Sequence, residues 1–164
     1  MTDHSTEFQQ RFESELDRRD ARSNDMNARS SGDPARQGVG PGVLYPALSH
    51  AIVGAAIQVH RHIGAGQLES VYQTAMVHEL GLQEIPYRTQ VPVDLLYKGL
   101  FVTTFRLDLV VDDRVVVELK AVERYHPAHR AQVVSYLRAT GLRLGLLINF
   151  NAPMVHQTVM RIIV

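Results

Sequence analysis

The stretch Leu107-Asp108-Leu109-Val110-Val111-Asp112-Asp113-Arg114-Val115-Val116-Val117-Glu118-Leu119-Lys120 sets two strongly apolar, β-branched runs around a polar turn, the pattern of an antiparallel hairpin. The second run is apolar on both faces for its first half, which predicts a strand in the middle of a sheet. Opposed residues of an antiparallel pair have numbers of constant sum. The apolar sets match best as Val111 with Val115, Leu109 with Val117 and Leu107 with Leu119, a sum of 226. That register sets Asp108 opposite Glu118. A strict two-residue turn at Asp112-Asp113 would put Leu107 against Glu118, so a three- or five-residue loop centred on Asp113 is predicted.

Outward from this hairpin, Val91, Val93 and Leu95 alternate up to a Lys98-Gly99 turn, and Phe101, Thr103, Phe105, Leu107, Leu109 and Val111 alternate on the strand that follows. Upstream, Leu48, Ile52, Ala55, Ala56, Val59 and Ile63 make one helical face ending near Gly64. A second helix follows Gly64-Ala65-Gly66, with Leu68, Val71, Tyr72, Ala75, Met76 and Leu80 as its apolar set and Gly81 as its stop. Downstream, Pro127 opens a helix whose stripe is Val133, Val134 and Leu137 and whose stop is Gly141. Residues 143–150 read as a buried strand and residues 155–163 as a closing edge strand. The order is helix, helix, three antiparallel strands, helix, strand, strand. It predicts an α/β domain on a mixed central sheet flanked by helices, over residues 42–164.

Residues 1–41 differ in kind. Gln, Arg, Asp, Ser and Asn dominate there, and Phe8, Phe12 and Leu16 are nearly the only large apolar residues. Such a segment cannot bury enough apolar surface to offset its ordering entropy, so a disordered polar tail is expected. Phe8, Phe12 and Leu16 stand at helical spacing, which leaves open a short amphipathic helix between Glu7 and Arg19 that forms against a protein partner.

The chain has 164 residues and no cysteine, which suits one soluble domain and excludes disulfides, thiol nucleophiles and every cysteine-ligated metal site. Any catalysis must use carboxylates, His, Lys, hydroxyls or a metal held by oxygen and imidazole. The first residues lack a basic and apolar leader pattern, and no apolar run approaches the length of a membrane helix, so a cytoplasmic protein is expected. Lys and Arg together number 17, as do Asp and Glu. The neutral sum hides unlike parts: residues 1–41 carry 6 basic and 8 acidic residues, a net of −2, and the remainder carries 11 and 9, a net of +2.

Asp108, Glu118 and Lys120 are the most informative residues, because charged groups at the inner ends of apolar strands are costly unless paired or bound to metal. Glu118 and Lys120 are two apart and share a face. Two carboxylates converging across a hairpin, with a lysine one step along, suit a hard divalent cation such as Mg²⁺ and the phosphate it activates. The lysine would orient the attacking water or offset charge on the scissile phosphate. From these residues alone a structural Glu–Lys or Asp–Lys pair is the favoured reading.

Four motifs in order carry a family resemblance: Gly66-Gln67-Leu68-Glu69-Ser70-Val71-Tyr72, Val117-Glu118-Leu119-Lys120-Ala121-Val122, Ala139-Thr140-Gly141-Leu142-Arg143 and Gly145-Leu146-Leu147-Ile148-Asn149-Phe150. Across about 115 residues, from Leu48 to Ile163, the chain resembles the GxxExxY protein family, a prokaryotic branch of the PD-(D/E)XK nuclease superfamily. The resemblance implies a restriction-endonuclease-like core and a metal-dependent phosphodiesterase acting on DNA or RNA. It places Asp108, Glu118 and Lys120 on the superfamily's D…E-x-K positions and Glu69 on a helix-borne acidic position that completes the Mg²⁺ or Mn²⁺ site. Gln132-Val133-Val134-Ser135-Tyr136 resembles the Q-x-x-x-Y helix motif of RecB-like nucleases, which implies that Gln132 and Tyr136 flank the catalytic pocket. Leu107 departs from the proline of the superfamily name. Glu69 also has a local reading, since a first-turn Glu complements the positive end of the helix dipole. Tyr72, three residues on, reads as core.

His60 and His62 diverge on a helix and read as surface. His126 and His129 flank the start of the Gln132 helix, where one touches phosphate or both serve the helix start. Arg124 and Arg130 read as a phosphate clamp or a solvated face. Two functions therefore stand: a Mg²⁺- or Mn²⁺-dependent nuclease, and a catalytically silent nuclease-fold module that binds nucleic acid or a protein partner. A small-molecule α/β enzyme is disfavoured, since no G-x-G-x-x-G and no G-x-x-x-x-G-K-[ST] occurs.

Overall fold

In the computed structural model, residues 44–164 are described. The tail expected over 1–41, with its optional helix, lies outside them. Helices α1 (Pro46–Ile63) and α2 (Glu69–Leu82) come first, then strands β1 (Tyr87–Tyr97), β2 (Leu100–Val111) and β3 (Val115–Lys120). Helix α3 (Pro127–Thr140) and strand β4 (Leu144–Asn149) follow, and a 3₁₀ turn (Val155–Gln157) leads into β5 (Met160–Ile163). The sheet runs β1-β2-β3-β4-β5, with β3 and β4 parallel and the other pairs antiparallel. This is the mixed α/β sheet predicted from the sequence.

The hairpin that decides the fold has the predicted register. Leu109 pairs with Val117, Val110 with Val116 and Val111 with Val115, across the three-residue loop Asp112-Asp113-Arg114. Asp112 and Asp113 both take left-handed φ of 51°, which Asp tolerates better than most residues. Arg88 and Arg114 pair with Asp113 and Asp112 and hold the loop in shape. At Lys98-Gly99 the φ values are 50° and 83°, as a two-residue hairpin turn demands. Pro92 sits in β1, an edge strand, where a missing donor costs least.

Strand β3 lies at the centre, and all its residues but Lys120 are buried. One face of β3 and β4 packs on α1 and α2 through Val115, Val117, Leu119, Leu144, Leu146 and Ile148. Helix α3 rests on the sheet through Val133, Tyr136 and Leu137.

Three local readings need correction. Helix α2 does not stop at Gly81; it runs to Leu82, and Glu84 takes the left-handed turn with φ of 55°. The Ile85 N–H reaches the Leu80 carbonyl at 3.0 Å and the Glu84 N–H reaches that of Gly81 at 3.1 Å, a Schellman closure with Glu in the place usually given to glycine. Leu68 and Val71, assigned to the apolar face of that helix, are exposed. Residues 155–163 are not one strand. Val155 is buried in a 3₁₀ turn, and the Thr158 hydroxyl lies 2.7 Å from the carbonyls of Asn149 and Val155, so the chain turns before β5 begins.

Gly145 on β4 is where α3 comes closest to the sheet. A Cβ there would meet Val133 Cγ1 at 2.4 Å and Leu137 Cδ1 at 3.4 Å. Gly145→Ala is therefore expected to destabilise the domain by about 1–3 kcal/mol through overpacking, read as a lower urea midpoint at an unchanged m-value.

Candidate active site

The ladder between β2 and β3 ends at Leu109 and Val117, so neither the predicted Asp108–Glu118 pair nor the Leu107–Leu119 pair forms. Beyond it the Asp108 carboxylate takes the place of a backbone acceptor: Oδ2 receives the Leu119 N–H at 2.9 Å. Asp108 is thereby fixed where the two strands part. On β3, Glu118 is 2% exposed, and its Oε1 accepts a hydrogen bond from Lys120 Nζ at 2.6 Å. The same ammonium lies 3.8 Å from Glu69 Oε2 at the start of α2. Glu69, Asp108, Glu118 and Lys120 thus come from three elements into one cluster.

The GxxExxY segment acts as a bracket for Glu69. Gly66 takes φ of 91°, a left-handed value that favours glycine. The Tyr72 hydroxyl donates to the Gly64 carbonyl at 2.7 Å and accepts the Gln67 N–H at 3.1 Å, tying the loop on which α2 begins. The Tyr72 ring stacks on Phe150 with centroids 4.5 Å apart, and the Phe150 N–H reaches the Lys120 carbonyl at 2.8 Å. Glu69 and Lys120 are therefore positioned through one chain of contacts.

Sequence reasoning passed over Asn149. Its side chain is buried: Oδ1 accepts the N–H groups of Val122 and Asn151, and Nδ2 donates to the Val122 carbonyl at 2.7 Å. This clamp holds the segment leaving Lys120. A polar residue in a buried strand was the signal that could have found it.

Gln132 and Tyr136 share a face of α3, and Gln132 Nε2 donates to the Tyr136 hydroxyl. Tyr136 packs against Phe105 of β2 at 5.2 Å. Burial, helped by the charges of Glu118 and Asp108, pushes its hydroxyl pKa up. The helix-start reading of His126 and His129 corresponds to a reciprocal cap. His126 Nδ1 accepts the Ala128 N–H at 3.1 Å, and His129 Nδ1 accepts the His126 N–H at 3.2 Å. Arg124 and Arg130 are exposed. His62 is exposed, but His60 is not a surface residue: its Nε2 donates to the Ala152 carbonyl at 2.8 Å.

Burial raises the Glu118 carboxyl to about 7, with Asp108 adding to the rise and Lys120 opposing it. Burial and Asp108 also raise Glu69, against the lowering pull of Lys120. On Lys120 burial works downward, but the hydrogen bond and charge of Glu118 overcome it, and its pKa is raised. One carboxylate oxygen, Glu118 Oε2, is buried without a hydrogen-bond partner among the described residues.

Among the described residues, no three His, Asp or Glu side chains are gathered closely enough to hold a metal ion as they stand. The physical reason is the lysine, which bridges Glu69 and Glu118 and takes up their charge. The donor chemistry nonetheless fits a hard cation. Glu69 and Glu118 both reach Lys120, Asp108 is anchored on the neighbouring Leu119 N–H, and the orphaned Glu118 oxygen lacks the positive partner that its burial demands.

Three carboxylates and a lysine, with Glu118 alone of the acids buried, thus stand where the β2–β3 hairpin of an α/β fold opens. The family model for the PD-(D/E)XK nuclease superfamily matches residues 46–162, and the chain belongs to that superfamily. Neither a curated protein nor a solved structure matches the chain. Nucleases of the superfamily generally use divalent metals.

The Glu118 shift carries a stability consequence. With a folded pKa near 7 and an ordinary value of 4.5, the folded state favours the protonated acid. The associated stability is present in full below pH 4.5 and is lost as pH rises through 7. Glu118→Gln lacks this loss. In metal-free buffer its stability relative to the parent chain is expected to climb between pH 4.5 and pH 8, approaching about 3 kcal/mol by urea unfolding. A flat difference would contradict the assignment.

Proposed function

We propose that this chain is a metal-dependent nuclease hydrolysing phosphodiester bonds in DNA or RNA, a RecB-like member of the GxxExxY branch that works in the cytoplasm. The observation that carries the reading is the convergence of Glu69, Asp108, Glu118 and Lys120, with a buried Glu118 oxygen left unpaired. Glu69, Asp108 and Glu118 would hold Mg²⁺ or Mn²⁺. When bound, such an ion polarises the phosphoryl oxygens and lowers the pKa of its water.

The residues of the chain do the rest. Asp108, anchored to the Leu119 N–H, sets one carboxylate where β2 and β3 separate. Lys120 stays charged beside Glu118 and can orient the attacking water or meet charge growing on the phosphate. Gln132 and Tyr136 form a hydrogen-bonded wall on the α3 side. The lysine must release its carboxylates for them to meet one ion.

That pairing also favours a second reading. A lysine that neutralises Glu118 and Glu69 by itself suits a silent module with the nuclease fold, acting as an accessory that binds nucleic acid or protein. The two readings separate in one set of measurements. Purified protein with single-stranded DNA, duplex DNA and RNA in Mg²⁺ or Mn²⁺ is expected to cleave at least one of them. Asp108→Asn and Lys120→Ala should each lower the rate by about 10²-fold or more. Cleavage that survives both changes removes the assignment, and absence of Mg²⁺ and Mn²⁺ binding by calorimetry selects the accessory module.

A further inference from the structure

Helix α3 carries His129, Gln132 and Tyr136 at positions i, i+3 and i+7, which lie on one face. Val117, Leu119, Leu144 and Leu146 face α1 and α2, whereas a side chain at Gly145 would meet Val133 of α3, so α3 lies on the other face of the sheet, the face of Glu118 and Lys120. The Lys120 ammonium acts on His129. Helix α3 opens at Pro127, shortly after β3 ends at Lys120, so its first turn, with the partly exposed His129, lies at the Lys120 end of that face.

The cap fixes the chemistry of that ring. His129 Nδ1 accepts the His126 N–H, so it presents a lone pair, and in the neutral imidazole the proton must sit on Nε2. Tyr125 stands edge-on to the ring at 6.2 Å and limits its rotation. Burial, Lys120 and His126 all lower the His129 pKa, in the direction that favours the neutral ring. The helix-start role thus leaves one oriented N–H donor facing away from the cap.

We propose that His129 Nε2–H is a substrate-binding donor of the site, hydrogen-bonded to a non-bridging oxygen of the phosphodiester held at Glu69, Asp108, Glu118 and Lys120. The assignment rests on the nuclease reading above and extends it to a residue outside the acidic and lysine set. A neutral donor suits the position, because a second cation would repel Lys120 and a protonated Nδ1 would break the cap. No proton is transferred; the ring orients the phosphate.

Crossed substitutions separate cap from contact. In His129→Asn the amide oxygen can replace Nδ1 as acceptor, while the distal donor is gone. In His129→Gln the amide reaches toward the Nε2 position, while the cap is lost. Expected for His129→Asn is a melting temperature like the parent's, with kcat/KM on an oligonucleotide lowered about ten- to a hundred-fold, the effect of one hydrogen bond to a charged oxygen. His129→Gln should melt lower yet recover most of the cleavage. Parent-like cleavage by His129→Asn, or cleavage that follows melting temperature across both variants, overturns the proposal. A second readout needs no turnover: long-range proton–nitrogen NMR of the full chain without added metal, titrated with a short oligothymidylate. Nε2 should be the protonated nitrogen and its resonance should move. A chain that cleaves nothing but shows this movement loses the nuclease reading alone, whereas a cleaving chain whose Nε2 stays still loses the His129 assignment.

Discussion

The arrangement depends on one buried carboxylate. Glu118 sits on the central strand with apolar residues before and after it, where an ionised group costs several kcal/mol unless a partner meets it. Lys120, two residues along and on the same face, is that partner for one oxygen. Nothing among the described residues meets the other. The cluster is therefore under-compensated as it stands, and the imbalance appears on both sides of the pair: the Glu118 pKa is pushed up toward neutrality while that of Lys120 rises as well.

Much of the surrounding structure holds these few groups in place. Asn149 clamps Val122, Phe150 binds the Lys120 carbonyl, and Tyr72 stacks on Phe150 while tying the loop before Glu69. Gly66 permits the turn that this tie requires. The seven-residue motif is thus legible as mechanics. Its glycine bends the loop, its tyrosine fastens it, and its glutamate, carried between them, is delivered to the lysine. Such a bracket limits the freedom of the acidic groups, which is the condition for a precise constellation on a small scaffold.

Periodicity and register were readable because they are local. The sum of 226 followed from matching apolar sets, and the three-residue loop at Asp113 followed from that sum. The helix boundaries at Gly64 and Gly141 followed from glycine chemistry. What escaped depends on contacts between distant residues. Glu84 serves as a left-handed cap because the Schellman bonds of α2 and the entry to β1 require it, not because of any residue preference. His60 is held by Ala152, ninety-two positions away, and residues 155–163 split because Thr158 bonds Asn149. Among the site residues, Asp108 was expected opposite Glu118, but the ladder stops at Leu109 and Val117, before that pair. Its bond to the Leu119 N–H was invisible, because the ladder had to end early for the side chain to enter.

Charge distribution constrains how any phosphate-bearing ligand meets this site. Residues 42–164 hold 11 basic and 9 acidic side chains, and three of the acids stand together in the cluster. Exposed arginines at 124 and 130 flank the start of α3. A surplus this small supports only modest counterion release, which gives weak attraction at physiological salt. On the nuclease reading, discrimination would then come from short-range geometry, the Gln132–Tyr136 pair on α3 and the charged Lys120. On that reading an oriented neutral donor would matter more than another cation, because it would add a directional contact without raising the general affinity for nucleic acid.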